Sequence, residues 1–430
     1  MCYTGDNGLA INMNGVKKSK KKLAGFLRYL EKYTKTDMIY AARGGFWILV
    51  GKGILMLISL ATLTAFANWV PQEVYGQYQF VLTVFGVLAV ISLPGLKSAL
   101  TRSVARGYEG SLLEVFKTKI RWSLLAGVGL LLAATWFFYQ GDMMMAGAFT
   151  AAGIFTPLKL SADIFGSYWS GKKRFDVKAK YRVVSELAVA AAVITTVFLT
   201  DNLAIIVAAL FASSALGYGV SYLLTARQAE DREPEAGVVS YGKHLSVMGA
   251  LGTVSKHLDK LLLWMFLGPV ELAVYMLAFK PIEKIKGAAP IGSLTLPKLS
   301  EHGVKGVRRK KSIFRKFLVL MSLSVPAAVL LVLAAPYIYQ VLFPEYQESV
   351  IYFQFLCLIP ALLPFAVLSS SLVAEKKVGS MYVTKTVTPL LKIVLFIILI
   401  PIYGIGGVVA SLVITRIIGG GLTLYFFWRM

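Results

Sequence analysis

Stretches of about 20 mostly apolar residues recur along this chain, the length at which an α-helix crosses the hydrocarbon core of a bilayer. They run over Phe46–Asn68, Tyr78–Leu96, Trp122–Tyr139, Met143–Phe165, Val183–Leu199, Leu203–Leu224, Ser246–Leu267, Leu272–Leu294, Phe317–Tyr339, Ser349–Val373, Val383–Ile400 and Ile405–Phe427. A backbone in hydrocarbon must satisfy its own N–H and C=O groups, which leaves a helix as the available form for segments of this kind. Composition agrees: 57% of the 430 residues are hydrophobic and 16% charged, against about half and a quarter in soluble domains. The expected fold class is an all-α polytopic membrane protein with about twelve transmembrane helices.

The loops test that number. With a cytoplasmic N-terminus, every second connection faces outside. Those outer connections hold Glu73, Asp142, Asp201, Glu271, Glu345 and Glu348, and no lysine or arginine. The inner ones hold Lys97, Arg102, Arg106, Lys117, Lys119 and Arg121, then Lys172, Lys173, Arg174, Lys178, Lys180 and Arg182, then Lys305, Arg308, Arg309, Lys310, Lys311, Arg315 and Lys316, then Lys376 and Lys377. The alternation never slips, as it would after one missed helix, so both termini are expected in the cytoplasm. The net charge of +23 thus reflects topology-setting loops, and nucleic acid is not an expected partner. Only Cys2 and Cys357 are present, which excludes a disulfide framework. The basic run Lys17–Lys22 is followed by mixed sequence and not by the apolar core of a signal peptide. Leu23, Phe26, Leu27, Leu30 and Tyr33 recur at helical spacing among Lys22, Arg28, Lys32 and Lys35. An interfacial helix on an anionic leaflet and a disordered basic tail both fit residues 1–43.

The segment ARQAEDREPEAG, between the sixth and seventh spans, has four acids and no apolar period. It reads as a flexible cytoplasmic linker over 226–242, joining six-helix halves at 44–225 and 243–430. The halves also repeat a pattern. FANWVPQEVYGQYQFVLTVFG carries Pro71, Glu73 and Tyr78 after the first span; WMFLGPVELAVYMLAFKPI carries Pro269, Glu271 and Tyr275 after the seventh. Both helices run outward, so the repeat is parallel, about an axis along the membrane normal.

The stretches DKLLLWMFLGPVELAVYMLAFKPIEKI, YGQYQFVLTVFGVLAVISLPGLKSALTRSVARG and APYIYQVLFPEYQESVIYFQFLCLIPALLPF resemble the corresponding segments of bacterial polysaccharide and O-antigen flippases. These belong to the multidrug/oligosaccharidyl-lipid/polysaccharide exporter superfamily, and the resemblance runs from about Gly44 to the end. It implies two six-helix lobes around a central cavity, alternating access, and a lipid-linked (polyprenyl diphosphate) oligosaccharide as cargo. It also implies the bacterial cytoplasmic (inner) membrane as location, with membrane lipids and polysaccharide assembly proteins as further partners.

The seventh and eighth spans carry charge where the bilayer is deepest. On a helix, Lys256, His257, Asp259 and Lys260 fall within an arc of roughly 160°. In the next span Lys280, Glu283 and Lys284 share a face with the distant Lys298, whereas Lys286 falls off it. A charge at bilayer depth costs about 2.5–3.5 kcal/mol even on insertion scales. Pairing of Lys256 or Lys260 with Asp259, and of Lys280 or Lys284 with Glu283, accounts for part of this set. The lysines outnumber the acids, so pairing leaves a net-cationic, water-filled face suited to a diphosphate. Lys256, Lys260, Lys280 and Lys284 are therefore the candidate cargo-binding residues, with Lys52 and Lys392 as further lining; snorkelling to the interface is the other account of Lys52. His257, Asp259 and Glu283 are candidates for ion pairing or proton coupling.

Two other function classes compete. A polymerase or ligase of lipid-linked glycans would keep catalytic groups on a large outer loop, and every outer connection here is short. The three histidines, His244, His257 and His302, lack ligand spacing, and no Gly-rich phosphate loop is present, so no catalytic residue, metal or cofactor is expected. A cation- or proton-coupled small-molecule antiporter of the same superfamily would favour acidic and aromatic lining for cationic drugs, against the lysine excess. A lipid II flippase would usually have two more helices than this chain can supply.

Overall fold

The computed structural model of the protein describes residues 38–230, 233–288, 307–374 and 378–429. The candidate interfacial helix, Lys298, Lys305, Lys376 and Lys377 lie outside these. Among the described residues there is no strand. The first half contains α1 (Met38–Trp69), α2 (Gln72–Leu88) with a 3-10 turn Ala89–Ser92, α3 (Leu96–Ala105), α4 (Ser111–Tyr139), α5 (Met143–Ala162), α6 (Phe165–Gly171), α7 (Phe175–Leu199) and α8 (Leu203–Ala226). The second contains α9 (Val238–Val254), α10 (Leu258–Phe266), α11 (Pro269–Ala288), α12 (Val307–Leu342) with a 3-10 turn Pro344–Tyr346, α13 (Ser349–Leu356), α14 (Leu358–Ala361), α15 (Phe365–Ala374), α16 (Val378–Tyr403) and α17 (Ile405–Arg429).

Among the described residues, nine stretches are long and apolar enough to cross a bilayer, or ten if Ser349–Ala361 and Phe365–Leu372, bent by 42°, form one crossing. The two remaining expected crossings are α9–α10 and α11, which are shorter or more charged. The protein is thus an all-α polytopic membrane protein of two six-helix lobes. The seventh span departs from the continuous helix expected: Ser255, Lys256 and His257 form a turn between α9 and α10.

Short turns carry their own start signals. Asp142 accepts the amide hydrogen of Met145 at 2.9 Å to begin α5, and Asn202 accepts those of Ala204 and Ile205 at 3.0 and 3.3 Å to begin α8. The repeated prolines do the same work in both halves. Pro71 immediately precedes α2 and Pro269 opens α11, where a missing N–H is harmless. Gly268, at φ 100°, makes the turn before Pro269.

Prolines inside helices free carbonyls, and neighbouring helices take them up. Pro281 offers no hydrogen to Leu277, whose carbonyl accepts from Tyr339 Oη at 3.2 Å. Pro336 likewise leaves the Val332 carbonyl to Gln354 Nε2 at 3.1 Å.

The two halves meet along a seam of α2, its 3-10 turn and α3 against α9–α11. Glycines allow the approach. A Cβ on Gly76 would collide with the Pro269 backbone, and one on Gly86 would enter the His257 ring. The Gly95 amide donates to Ser246 Oγ at 2.9 Å. At the end holding the acidic loops, a single apolar core includes Phe66, Tyr75 and Tyr78 of the first half with Tyr275, Tyr339 and Tyr346 of the second. There Asn68 Nδ2 donates to the Leu342 carbonyl at 2.9 Å and Gln72 Nε2 to that of Glu345 at 2.7 Å.

Candidate functional site

The break in the seventh span sets up the site. Ending α9 at Val254 leaves carbonyls without helical partners. Lys392 of α16 donates to the Ser255 carbonyl at 2.8 Å, and Lys260 Nζ to that of Lys256 at 3.1 Å. Asp259, buried at 3% exposure, accepts from Tyr275 Oη at 2.6 Å and lies 3.4 Å from Lys260 Nζ. Of the pairings expected from sequence, Lys260–Asp259 is formed. The Lys260 ammonium also lies 5.0 Å from the centre of the Phe279 ring. His257, adjacent to these groups in sequence, packs in the seam against Gly86.

Beside this break is a cavity of about 870 Å³, walled by α10, α11, α14–α17 and the turn at Lys256. All its lining residues belong to the second half. Among the described residues its charged lining is Lys256, Lys286, Lys392 and Arg416 with Asp259 and Glu283, an excess of two positive charges. Ser369, Thr384, Thr388, Thr415 and Thr423 add hydroxyls. Such a wall can neutralise a compact anion and hydrogen-bond polar groups attached to it.

Of the candidates named from sequence, Lys256, Lys392, Asp259 and Glu283 line the cavity together. Lys260 supports the break beneath it. Lys280 leaves this group and crosses the seam, 5.5 Å from the Tyr75 ring centre and 6.0 Å from that of Tyr78. Lys284 is exposed outside the lining. Lys52 is not a lining residue but reaches the cavity's edge, donating to the carbonyl of Gly287, which lines it, at 2.8 Å. Two charged lining residues escaped the sequence reading. Lys286 was off the face of an ideal helix, yet lies on the cavity beyond Pro281. Arg416 had a visible signal, a lone arginine deep in the last span, which the argument applied to Lys392 would have found.

The opposite end of the molecule carries the basic loops, and several acids there each pair with one or more of the loop cations. Asp163 receives Lys97 and, at 2.6 Å, Arg182; Arg182 also meets Glu186 at 3.0 Å. Glu109 receives Lys172, Tyr168 Oη at 2.5 Å and the Glu230 amide at 3.2 Å. Burial acts to raise the Glu109 pKa, but these hydrogen bonds and the Lys172 charge outweigh it and hold the carboxyl below its usual value. Arg106 pairs with Glu235 at 2.8 Å, and the Glu235 amide donates to Ser111 Oγ at 2.9 Å. The described parts of the connection between halves are therefore tied to the first half. Arg102 stacks over Tyr241 of α9 at 4.8 Å.

The sequence family described as "Polysaccharide biosynthesis protein" matches residues 41–302. No curated protein matches the sequence. Solved structures share the fold. A lipid II flippase, MurJ, in an inward closed conformation, is 14% identical, with 87% of this chain and 86% of that one covered at a TM-score of 0.61. A MATE multidrug transporter, DinF-BH, is 14% identical, with 92% and 96% covered at 0.63. An inward-facing MATE family multidrug resistance transporter of the MOP superfamily is 16% identical, with 87% and 94% covered at 0.61.

Proposed function

The chain belongs to the polysaccharide biosynthesis protein family, and from that premise we propose that it is a flippase carrying a lipid-diphosphate-linked oligosaccharide across the bacterial cytoplasmic membrane. The observation that carries this proposal is the cavity beside the broken seventh span, where, among the described residues, Lys256, Lys286, Lys392 and Arg416 outnumber Asp259 and Glu283. The diphosphate would sit among these cations and the sugars against the hydroxyls. The lipid tail would stay in the membrane. The halves, at 44–225 and 243–430, would rock about the glycine-lined seam to expose the cavity to each side in turn. The basic loops and both termini would face the cytoplasm.

The shared fold with MATE transporters supports a transporter and leaves small-molecule antiport as the second reading. The positive lining disfavours cationic drugs as cargo, and the family match favours a glycan. No step of this mechanism requires a bond to be made or broken, so the protein acts as a carrier and not as an enzyme.

The test is accumulation of lipid-linked repeat units in cells that depend on this protein, at matched membrane levels of each variant. Lys256→Gln, Lys286→Gln and Arg416→Gln should each cause accumulation, and Arg416→Lys should partly restore export because charge matters more than shape in a wet cavity. Lys284→Gln should export as wild type. Normal export by all three cavity variants would overturn the proposal.

A further inference from the structure

The seam contains a cluster of hydrogen-bond donors with too few acceptors. Tyr75 and Tyr346 are fully buried and Gln79 nearly so, at 1% exposure. Among the described residues the Tyr346 hydroxyl makes no hydrogen bond, and the Tyr75 hydroxyl and the Gln79 side-chain nitrogen have no partner beyond each other. Tyr75 and Gln79 are one helical turn apart on α2 and so share a face. The Tyr346 ring meets Tyr75 edge-on at 6.3 Å. Lys280, arriving from α11, adds three more N–H groups. Its ammonium contacts the faces of Tyr75 and Tyr78, and a ring face attracts a cation without replacing a hydrogen-bond acceptor.

Buried polar atoms in folded proteins nearly always have partners, and orphans mark an ordered water or an ion. A water here would accept two of these hydrogens and bring two of its own, with the phenol oxygens as the main acceptors nearby. An anion only accepts. The surrounding side chains, Phe66 among them, are packed to nearly complete burial, which suits an ion of atomic size and excludes a phosphate. We propose that the seam binds a small inorganic anion of the halide class, held by Lys280 from the second half and Tyr75 and Gln79 from the first, with Tyr346 closing the site. Such an ion ties the acidic ends of the two halves together, because its ligands come from both. The site is separate from the cationic cavity, and the proposal does not rest on the nature of the cargo.

Purified protein in detergent tests this. Its thermal midpoint is measured in chloride, bromide and gluconate at equal ionic strength; gluconate is too large to enter. Chloride and bromide should raise the midpoint saturably over gluconate. Lys280→Gln should abolish that difference, and Tyr346→Phe, which removes one donor and little volume, should weaken the halide dependence several-fold. Lys392→Gln, in the cavity, should leave it intact. Crystals in bromide should give an anomalous peak within hydrogen-bonding distance of Lys280 Nζ. If Lys280→Gln does not fold, Tyr346→Phe and the bromide map decide. No halide effect in the wild type, an effect that follows Lys392 instead of Lys280 or Tyr346, or a seam occupied by water alone would each overturn the proposal.

Discussion

Gly86→Ala should damage the seam by a predictable route. The added methyl would lie 2.7 Å from Nε2 and 3.0 Å from Nδ1 of His257, and closer still to Cε1. All of these are well inside van der Waals contact. The imidazole belongs to the turn between α9 and α10, whose backbone is fixed by the His257 amide donating to the Val254 carbonyl at 2.9 Å. Overpacking of this kind costs about 1–3 kcal/mol, with the lower end expected if the ring alone swings away. The thermal midpoint of the purified protein measures the loss. Gly53→Ala is the control, since a Cβ there meets nothing within 4 Å; it should be neutral or slightly stabilising. His257→Ala removes the obstacle, so the double variant should recover much of the loss, a coupling of about 0.5–3 kcal/mol. A Gly86→Ala protein as stable as Gly53→Ala, or one not relieved by His257→Ala, would show that the seam is not packed as described. Export by His257→Ala alone answers a different question: normal transport at every pH would remove the histidine from proton coupling.

Three further outcomes are expected. Glu109 has a folded pKa below its ordinary value of 4.5, so its contribution to stability is complete above that pH and is lost as pH falls through the folded value; Glu109→Gln should lower the thermal midpoint at neutral pH and flatten its acid decline. Tyr339→Phe should cost about 1–3 kcal/mol by stranding the Leu277 carbonyl, and distinctly less in a Pro281→Ala background, where residue 281 supplies the missing N–H; equal losses in both backgrounds would sink that account. Reporters fused after Glu73, Asp201, Glu271 or Glu345 should read outside and those within Lys172–Lys180 inside; an outside signal from the Lys172 loop would refute the proposed orientation.

Much of the architecture was legible because bilayer thickness fixes helix length and loop charge fixes alternation. The Pro-x-Glu repeat marked the turns before α2 and α11, but these helices begin at Gln72 and Pro269, earlier than the expected spans from Tyr78 and Leu272, because proline and glutamate both suit a first helical turn. The site was less legible. Projecting Lys256, His257, Asp259 and Lys260 onto one ideal helix assumed continuity, and the turn at Ser255–His257 sends His257 into the seam while Lys256 and Asp259 line the cavity and Lys260 pairs with Asp259. Lys280 was grouped with cavity lysines by period alone, which carries no information about the tyrosines of a helix two hundred residues earlier. Arg416 was readable and was missed; it is the single charged residue of its expected span, Ile405–Phe427.

The four ionisable groups around the break answer the problem of charge in the membrane in separate ways. Asp259 is held by Tyr275 and Lys260, so its desolvation is offset by a charge-assisted hydrogen bond and an ion pair. Lys260 also supplies the Lys256 carbonyl, and Lys392 supplies that of Ser255. The backbone groups freed by breaking the helix are therefore met by side chains whose charge would otherwise be costly at that depth. Irregular backbone within a membrane is tolerated only where it is buried in protein or lines a cavity, and here it does both. Lys256 borders the cavity, and His257 fills the notch left by Gly86 on the other half. Residues 256 and 257 thus join the cationic wall to the seam across a single peptide bond. A displacement of the seam that moves His257 out of its notch must also move Lys256 at the cavity wall, which gives the proposed rocking of the halves a direct mechanical route to the cavity.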